Sequence, residues 1–257
     1  MTILSIVIVF VFGLIVGSFL TAVIHRLPDL KTIIRERSHC PHCKKELGLW
    51  DLIPLLSFVM LAGKCRYCSK KISWQYPLVE FSTGLIFVLI WLNFGLSVYS
   101  VFLALIFAGL IVIAAYDLKK MLIPDEILWP LVILALLYFI GVAVVEGNFA
   151  ILSSAFWGAL VFGGIILILH FVSGGKWMGF GDIKLAGLLG FILGMPAVLV
   201  GFFITFLVGG FIGLVLMATG KKSLKDKVPF APFMIFGFLI AIFWAEKILE
   251  WYLNIGM

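Results

Sequence analysis

Long runs of apolar residues, separated by short polar segments, dominate the chain and predict transmembrane helices. About eight spans can be drawn, with limits good to about two to four residues: 3–24, 77–94, 99–116, 127–145, 149–172, 183–193, 196–218 and 232–251. At 1.5 Å per residue, the first run is long enough to cross a hydrocarbon core of about 30 Å, whereas 183–193 is short for a full crossing. The pattern predicts an all-α polytopic membrane protein.

The polar segment that follows the first span is the only sizeable region predicted to lie outside the membrane. It divides the chain into a first transmembrane helix at 1–24, a cysteine-containing cytoplasmic segment at 25–76 and a transmembrane bundle at 77–257. Its apolar stretch at 52–62 is too short to span, so we expect it to pack on the bundle or to lie at the membrane interface. Because basic residues follow the first span and none precedes it, we predict an uncleaved helix whose C-terminal end is cytoplasmic.

Composition agrees with this class. The chain is 63% hydrophobic and only 12% charged, whereas soluble domains carry about 25% charged residues, so lipid must cover much of the surface. The net charge is +6, and 18 of the 19 Lys and Arg residues fall in 25–76, 117–126, 173–184 and 219–230, with Lys247 as the exception. The positive-inside rule accounts for this partition and places these four segments in the cytoplasm. We therefore expect a lipid bilayer and no nucleic acid as partner.

The four cysteines form two Cys-x2-Cys pairs, Cys40 with Cys43 and Cys65 with Cys68, separated by 21 residues. Two turns that each present two thiolates can complete a tetrahedral Zn²⁺ site, which would be structural because it leaves no open position. A reducing cytoplasmic location favours metal over disulfides. Unpaired thiols or a redox pair are the alternatives, and a neighbouring histidine could replace one thiolate.

Two aspartates at the ends of predicted spans are the candidate catalytic groups. Asp117 ends the span 99–116, and Asp182 opens the span 183–193. Both fall on the predicted cytoplasmic side, where two adjacent carboxylates would share a proton, one activating water and the other protonating the substrate. This is aspartyl-protease chemistry. Alternatively, Asp182 is simply a helix cap, whereas a carboxylate at a helix C-terminus, as at Asp117, opposes the dipole.

The glycines beside Asp182 add to this motif. Gly179 and Gly181 permit backbone geometries that other residues avoid and allow a substrate strand to approach closely. From the helix dipoles we expect Asp182 to be the more acidic group and the base, and Asp117 to hold the shared proton.

The chain resembles the type IV prepilin peptidases, membrane proteases of the GxGD class. The resemblance rests on blocks that occur in the family's order: Gly17-Ser18-Phe19-Leu20, His25-Arg26-Leu27-Pro28, the two cysteine pairs, Ile53-Pro54-Leu55-Leu56-Ser57, Tyr76-Pro77-Leu78-Val79-Glu80, Asp117 with Ile123-Pro124-Asp125, and Met178-Gly179-Phe180-Gly181-Asp182-Ile183-Lys184-Leu185.

The resemblance implies that Asp117 and Asp182 cut a short basic leader from prepilins or pseudopilins at the cytoplasmic face of the bacterial inner membrane. It also implies N-methylation of the new N-terminus with S-adenosylmethionine. Glu80 is the candidate for cofactor binding that the resemblance suggests, and a carboxylate at the mouth of the second span is the other interpretation.

Three further hypotheses compete with a bifunctional enzyme. One is a peptidase without methyltransferase activity. Another is a transporter whose intramembrane aspartates relay ions, which would favour carboxylates at mid-membrane depth and repeated halves. The last is a membrane-anchored zinc module that recruits partners. No oligomeric state is predicted.

Overall fold

The structure is a computed structural model, and it describes residues 2–28, 38–220 and 228–254. Its α-helices, in chain order, are α1 (Ile3–Arg26), α2 (Leu56–Met60), α3 (Gln75–Phe94), α4 (Val98–Lys120), α5 (Asp125–Glu146), α6 (Ala150–Val172), α7 (Phe180–Leu193), α8 (Ala197–Ala218) and α9 (Ala231–Asn254), with a short 3-10 helix at Leu49–Leu52. Among the described residues, the only β-structure is two isolated bridges, His39 with Glu46 and Lys64 with Lys71. The predicted all-α class is confirmed.

Seven helices are long and apolar enough to cross a membrane, namely all except α2 and α7 in the described chain. The sixth predicted span, 183–193, corresponds to α7, which has 14 residues and a length of about 21 Å, well below the roughly 30 Å of a hydrocarbon core. The chain is therefore a multi-pass membrane protein with seven full-length candidate spans and one shorter helix.

The first compact unit, Met1–Ala115, is built around the pairing of α1 with α3. Small residues allow this contact, because a Cβ atom added at Gly13 would lie 2.7 Å from the Cα of Gly84, and one at Gly17 would lie 2.7 Å from the Cα of Glu80. Such stripes of small residues let membrane helices approach at their backbones. The predicted domain limits after residues 24 and 76 stay predictions.

The second unit, Tyr116–Met257, contains α5 to α9 and the last residues of α4. In it α6 packs on α7, and α8 packs on α9. Gly158 and Gly190 form a close backbone contact between α6 and α7, since a Cβ on Gly190 would lie 2.3 Å from the Gly158 carbonyl oxygen. Gly201 and Gly237 play the same part between α8 and α9, where a Cβ on Gly237 would lie 2.5 Å from the Gly201 oxygen.

The segments that carry basic residues are only partly described. Those outside the described residues are Lys31, Arg35, Arg37, Lys221, Lys222, Lys225 and Lys227. Within the second unit, Ala231 at the start of α9 donates a hydrogen bond to Asp117 at the end of α4, and Asp182 at the start of α7 lies within electrostatic reach of Asp117. The prediction that residues 117–126, 173–184 and 219–230 share one side of the membrane stays a prediction.

Candidate active site

Asp117 lies in the last turn of α4 and is buried, with only 4% of the residue exposed. Its Oδ2 atom accepts a hydrogen bond of 3.1 Å from the backbone N–H of Ala231, the first residue of α9. The carboxylate therefore lies at the positive end of a second helix, which offsets the unfavourable dipole of its own helix. The expectation that Asp182 is more acidic than Asp117 considered, for Asp117, only the dipole of α4. Because Asp117 also lies at the N-terminus of α9, the helix dipoles no longer distinguish the two aspartates in this way.

Asp182 is the third residue of α7 and is half-buried. Its Oδ2 atom accepts a hydrogen bond of 2.8 Å from the backbone N–H of Gly179, and its own N–H donates to the Gly179 carbonyl at 3.1 Å. Asp182 thus belongs to a capping box at the start of α7 whose N-cap is Gly179, so the interpretation of Asp182 as the N-cap itself is wrong. A capping bond to one oxygen is compatible with chemistry, because it holds the carboxylate in one orientation.

In the second unit, Asp182 lies within electrostatic reach of Asp117. Their carboxylates are close enough for the charge of Asp182 to act on Asp117. Repulsion between two such carboxylates disfavours the state in which both are ionised. The close pairing of the two carboxylates and the catalytic role of each residue stay predictions.

The glycines of the Gly-x-Gly motif stand where a side chain would crowd neighbouring atoms. A Cβ atom on Gly181 would lie 3.1 Å from the Cβ of Ile123, and one on Gly179 would lie 3.3 Å from Oδ2 of Asp182. Gly179 has a φ of −76°, which other residues adopt freely. The absence of a side chain at Gly181 therefore lets the loop between α4 and α5 lie against the start of α7.

An ion pair connects α7 to the start of α5. The Nζ atom of Lys184 in α7 contacts the Oδ1 atom of Asp125, the first residue of α5. The ammonium group also lies 5.7 Å from the ring centre of Phe180 and 6.0 Å from that of Trp129. Asp125 is thus paired within the chain.

His170 supports the loop that leads into Asp182. Its Nδ1 atom lies 2.7 Å from the carbonyl oxygen of Met178, and because a carbonyl only accepts, Nδ1 is the donor. Neither His170 nor the N–H of Ala231 was singled out from the sequence. His170 is the only histidine in 77–257, which is a usable signal, but the backbone donor of Ala231 has no side-chain signature.

The four cysteines form one cluster in the first unit. All four Sγ atoms lie within 4.8 Å of one another, and those of Cys40 and Cys68 are 3.9 Å apart. Sulfur atoms at about 2.3 Å from a tetrahedral Zn²⁺ are separated by about 3.8 Å. The donor set and its spacing therefore fit a closed structural metal site.

Two similar turns present these thiols. The N–H of Cys40 donates to the Lys45 carbonyl at 3.0 Å, and the N–H of Cys65 donates to the Lys70 carbonyl at 2.9 Å. The fourth residue after each of these cysteines, Lys44 and Ser69, has a positive φ of 60° and 57°, respectively. The repeated geometry indicates two matching metal-binding turns.

The thiols also influence one another electrostatically. Burial raises the pKa of Cys40, but hydrogen bonds from the backbone of Cys43 and His42, together with neighbouring thiols, outweigh it and lower the pKa to about 6. The Lys70 backbone N–H lowers the pKa of Cys68, but burial and the other three thiols outweigh it and raise the pKa to about 11. A divalent cation would stabilise all four thiolates together.

Glu80 is buried in the second turn of α3. Its Oε2 atom accepts a hydrogen bond of 2.8 Å from the backbone N–H of Leu55, a residue with a positive φ of 57°. Glu80 thus connects the membrane helix α3 to the segment that holds the cysteines. This contact gives it a positioning role, and its predicted contact with a cofactor stays a prediction.

Two family profiles match the chain. The first, described as the Bacterial Peptidase A24 N-terminal domain, matches residues 11–94. The second, described as the Type IV leader peptidase family, matches residues 104–214. The first range includes the cysteine cluster and Glu80, and the second includes both aspartates. No solved structure matches the chain.

Curated relatives match nearly the whole chain. A protein of Bacillus subtilis (strain 168) named Prepilin leader peptidase/N-methyltransferase is 35% identical, covering 97% of this chain and 98% of the relative. Relatives of the same name from Stutzerimonas stutzeri and Aeromonas hydrophila are 32% and 33% identical, over 95% and 96% of this chain and 92% and 93% of their own lengths. The chain therefore belongs to the type IV prepilin leader peptidase family.

Proposed function

We propose that the chain is an aspartic endopeptidase of the bacterial inner membrane that removes the short basic leader of prepilins or pseudopilins at the cytoplasmic face. The observation that carries this proposal is the buried carboxylate of Asp117 in electrostatic reach of Asp182. The relatives' printed names support the substrate class. Membership of this family does not favour the transporter hypothesis.

Cleavage needs one proton acceptor and one proton donor. One carboxylate takes a proton from water as the oxygen attacks the scissile carbonyl carbon, and the other carboxyl group protonates the carbonyl oxygen. When the tetrahedral intermediate collapses, the first group passes its newly gained proton to the leaving amine nitrogen, and the second takes back a proton from a hydroxyl of the intermediate. The hydrogen bonds of Ala231 to Asp117 and of Gly179 to Asp182 hold both groups in place. We assign the base to Asp182, whose half-buried position leaves it open to water.

The test is cleavage of a basic-leader prepilin by the full chain in lipid nanodiscs, comparing wild type with Asp117→Asn and Asp182→Asn. Loss of a general acid or base is expected to slow the reaction about 10²–10⁴-fold. The amide oxygen of asparagine can still accept the N–H of Ala231 or Gly179, so both variants are expected to keep the wild-type unfolding midpoint. Glu246→Gln, an exposed carboxylate of α9, is the matched control and should cut normally.

Normal cleavage by either aspartate variant would show that the residue is only a helix cap and would overturn the proposed mechanism. A variant that is inactive but also unfolds early would need replacement by the Glu variant at the same position, which keeps an ionisable carboxyl group. Partial activity in the Glu variant, with none in the Asn variant, supports a direct role.

We further propose that the chain N-methylates the new N-terminus with S-adenosylmethionine. The sulfonium methyl group would pass to the free amine nitrogen, which loses a proton as S-adenosylhomocysteine leaves. The relatives' names support this activity. In this proposal Glu80 positions the segment at Leu55 through their hydrogen bond.

The same segment would hold Zn²⁺ through Cys40, Cys43, Cys65 and Cys68. A bound zinc ion would supply a rigid crosslink between the two turns and no open coordination position for chemistry. The cysteines' own part is to fix the two turns beside each other.

Transfer of a labelled methyl group from S-adenosylmethionine to cleaved pilin separates the bifunctional enzyme from a peptidase without methyltransferase activity. Glu80→Gln should retain cleavage and lose methyl transfer. Methylation that is absent in the wild-type protein under conditions of full cleavage would favour the peptidase-only alternative.

A further inference from the structure

The cysteine-containing segment carries an unusually apolar surface outside the spanning helices. We define the apolar ledge as Leu49, Trp50, Leu56, Val59, Met60 and Trp74. Four of them, Leu49, Trp50, Val59 and Met60, are 86%, 77%, 73% and 75% exposed. Exposed apolar groups gathered in this way mark a binding surface or an aggregation liability in a soluble protein.

The ledge lies beside a helix that enters the membrane. The N–H of Leu55, next to α2, donates to Glu80, the sixth residue of α3. At 1.5 Å per residue, Glu80 is about 7–8 Å along α3 from Gln75. Because α3 has 20 residues and so a length of about 30 Å, all of it is needed to cross the hydrocarbon core. The backbone at Leu55 is therefore held near the depth at which interfacial helices lie, about 5–10 Å below the headgroup boundary.

A ring contact fixes α2 in this place. The rings of Phe58 in α2 and Trp74 are 5.1 Å apart between centres, and Trp74 immediately precedes α3. Tryptophan is enriched at the membrane–water interface, where its ring meets both apolar and polar groups. Phe58 in α2 and Leu55 immediately before α2 thus both contact the start of the membrane helix α3 or the residue preceding it.

The charges of the segment complement a lipid surface. Residues 38–74 carry six basic and two acidic side chains, and the basic ones are all exposed: Lys44, Lys45, Lys64, Arg66, Lys70 and Lys71. Arg66 pairs with Asp51. Basic residues that flank an apolar surface attract the anionic headgroups of a bilayer.

From these observations we infer that the apolar ledge inserts into the cytoplasmic leaflet as a monotopic element, with anionic lipid as its partner. Apolar side chains enter the acyl region, and the flanking lysines meet headgroups. The cysteine cluster is thereby held down against the bilayer. The inference concerns lipid contact alone and does not depend on the proposed catalytic activity.

The test uses the full chain, one copy per nanodisc, in phosphatidylglycerol–phosphatidylcholine lipid brominated near the glycerol end of the acyl chains. Comparison of wild type with Trp50→Phe isolates the fluorescence of Trp50. That component should lose intensity in brominated lipid relative to unbrominated lipid, and it should resist quenching by aqueous iodide. Lys70→Gln with Lys71→Gln in the same chain should reduce the loss, because the attraction to anionic lipid is weaker.

Quenching of the Trp50 component by iodide and not by brominated lipid would overturn the inference. Protection from both quenchers would also overturn it, since protein would then cover the ledge. If a prepilin added to the discs displaces the brominated-lipid quenching, the ledge still binds lipid in the free protein, and the inference stands.

Discussion

The contact between Gly190 and Gly158 provides a sharp test of how the fold positions the candidate site. In Gly190→Ala, the new Cβ atom would lie 2.3 Å from the Gly158 carbonyl oxygen, whereas ordinary contact begins at 3.4 Å. Both partners are backbone, so neither can rotate away, and α6 and α7 must separate by about 1 Å. Overpacking of this kind costs about 1–3 kcal/mol of stability.

The same displacement reaches the candidate active site. Asp182 lies on α7 eight residues before Gly190, or about 12 Å along the axis, so a shift of the helix carries Asp182 with it. A misplacement of about 1 Å in a catalytic group can lower a rate about 10²-fold. We therefore expect Gly190→Ala to lose about two orders of magnitude in prepilin cleavage while remaining folded at room temperature.

Gly187→Ala is the matched control on the same helix. A Cβ atom at Gly187 has no neighbour within 4 Å, so the substitution should leave both cleavage and the unfolding midpoint close to wild type. Initial cleavage rates and thermal unfolding are measured in the same nanodiscs for all three proteins.

Wild-type cleavage by Gly190→Ala would refute the argument that this contact sets the position of Asp182. An equal loss in Gly187→Ala would also refute it, because the loss would then follow from any alanine on α7. If Gly190→Ala lowers the unfolding midpoint but cleaves at the wild-type rate, the predicted loss of stability is confirmed. Only the inference that this contact positions Asp182 is then rejected.

Three other outcomes follow from the site. The purified chain should bind about one Zn²⁺, measured by elemental analysis, and Cys40→Ser should lose it because three thiolates leave an open position. Lys184→Asp and Asp125→Lys should each slow cleavage, and their combination should recover part of it; since Asp125 is 52% exposed, we expect a coupling of only about 0.2–1 kcal/mol in a double-mutant cycle. Cleavage by Asp117 and Asp182 should give a bell-shaped pH–rate profile, because acid protonates the base and alkali removes the shared proton; a flat profile with rate-limiting chemistry would contradict this pairing.

The helices were largely predictable from hydropathy. The span expected at 149–172 is observed as Ala150–Val172, and the one expected at 3–24 as Ile3–Arg26, because long apolar runs bounded by polar residues have few alternatives in lipid. The short helix α7 was harder to define. Its first turn, Phe180-Gly181-Asp182, contains a glycine and a charge, so the apolar pattern begins only at Ile183.

The candidate catalytic side chains could be proposed from the sequence, but the hydrogen bond and the ion pair that hold the site together could not. Asp117 and Asp182 end and begin apolar runs, so the topology alone placed them on one side of the membrane. The donor to Asp117 is a backbone N–H of Ala231, which has no side-chain signature and lies 114 residues away in the sequence. The pair of Lys184 with Asp125 spans 59 residues, and such contacts depend on helix packing that hydropathy does not specify.

The hydrogen bond from Ala231 to Asp117 also has a consequence for biosynthesis. A ribosome that adds about 5–20 residues per second needs roughly 6–23 s to proceed from Asp117 to Ala231. During that interval α4 is already available for insertion, but its carboxylate has no partner from α9. The candidate site is therefore completed only when the last helix joins the bundle, which makes hydrolytic competence a late event in the life of each new chain.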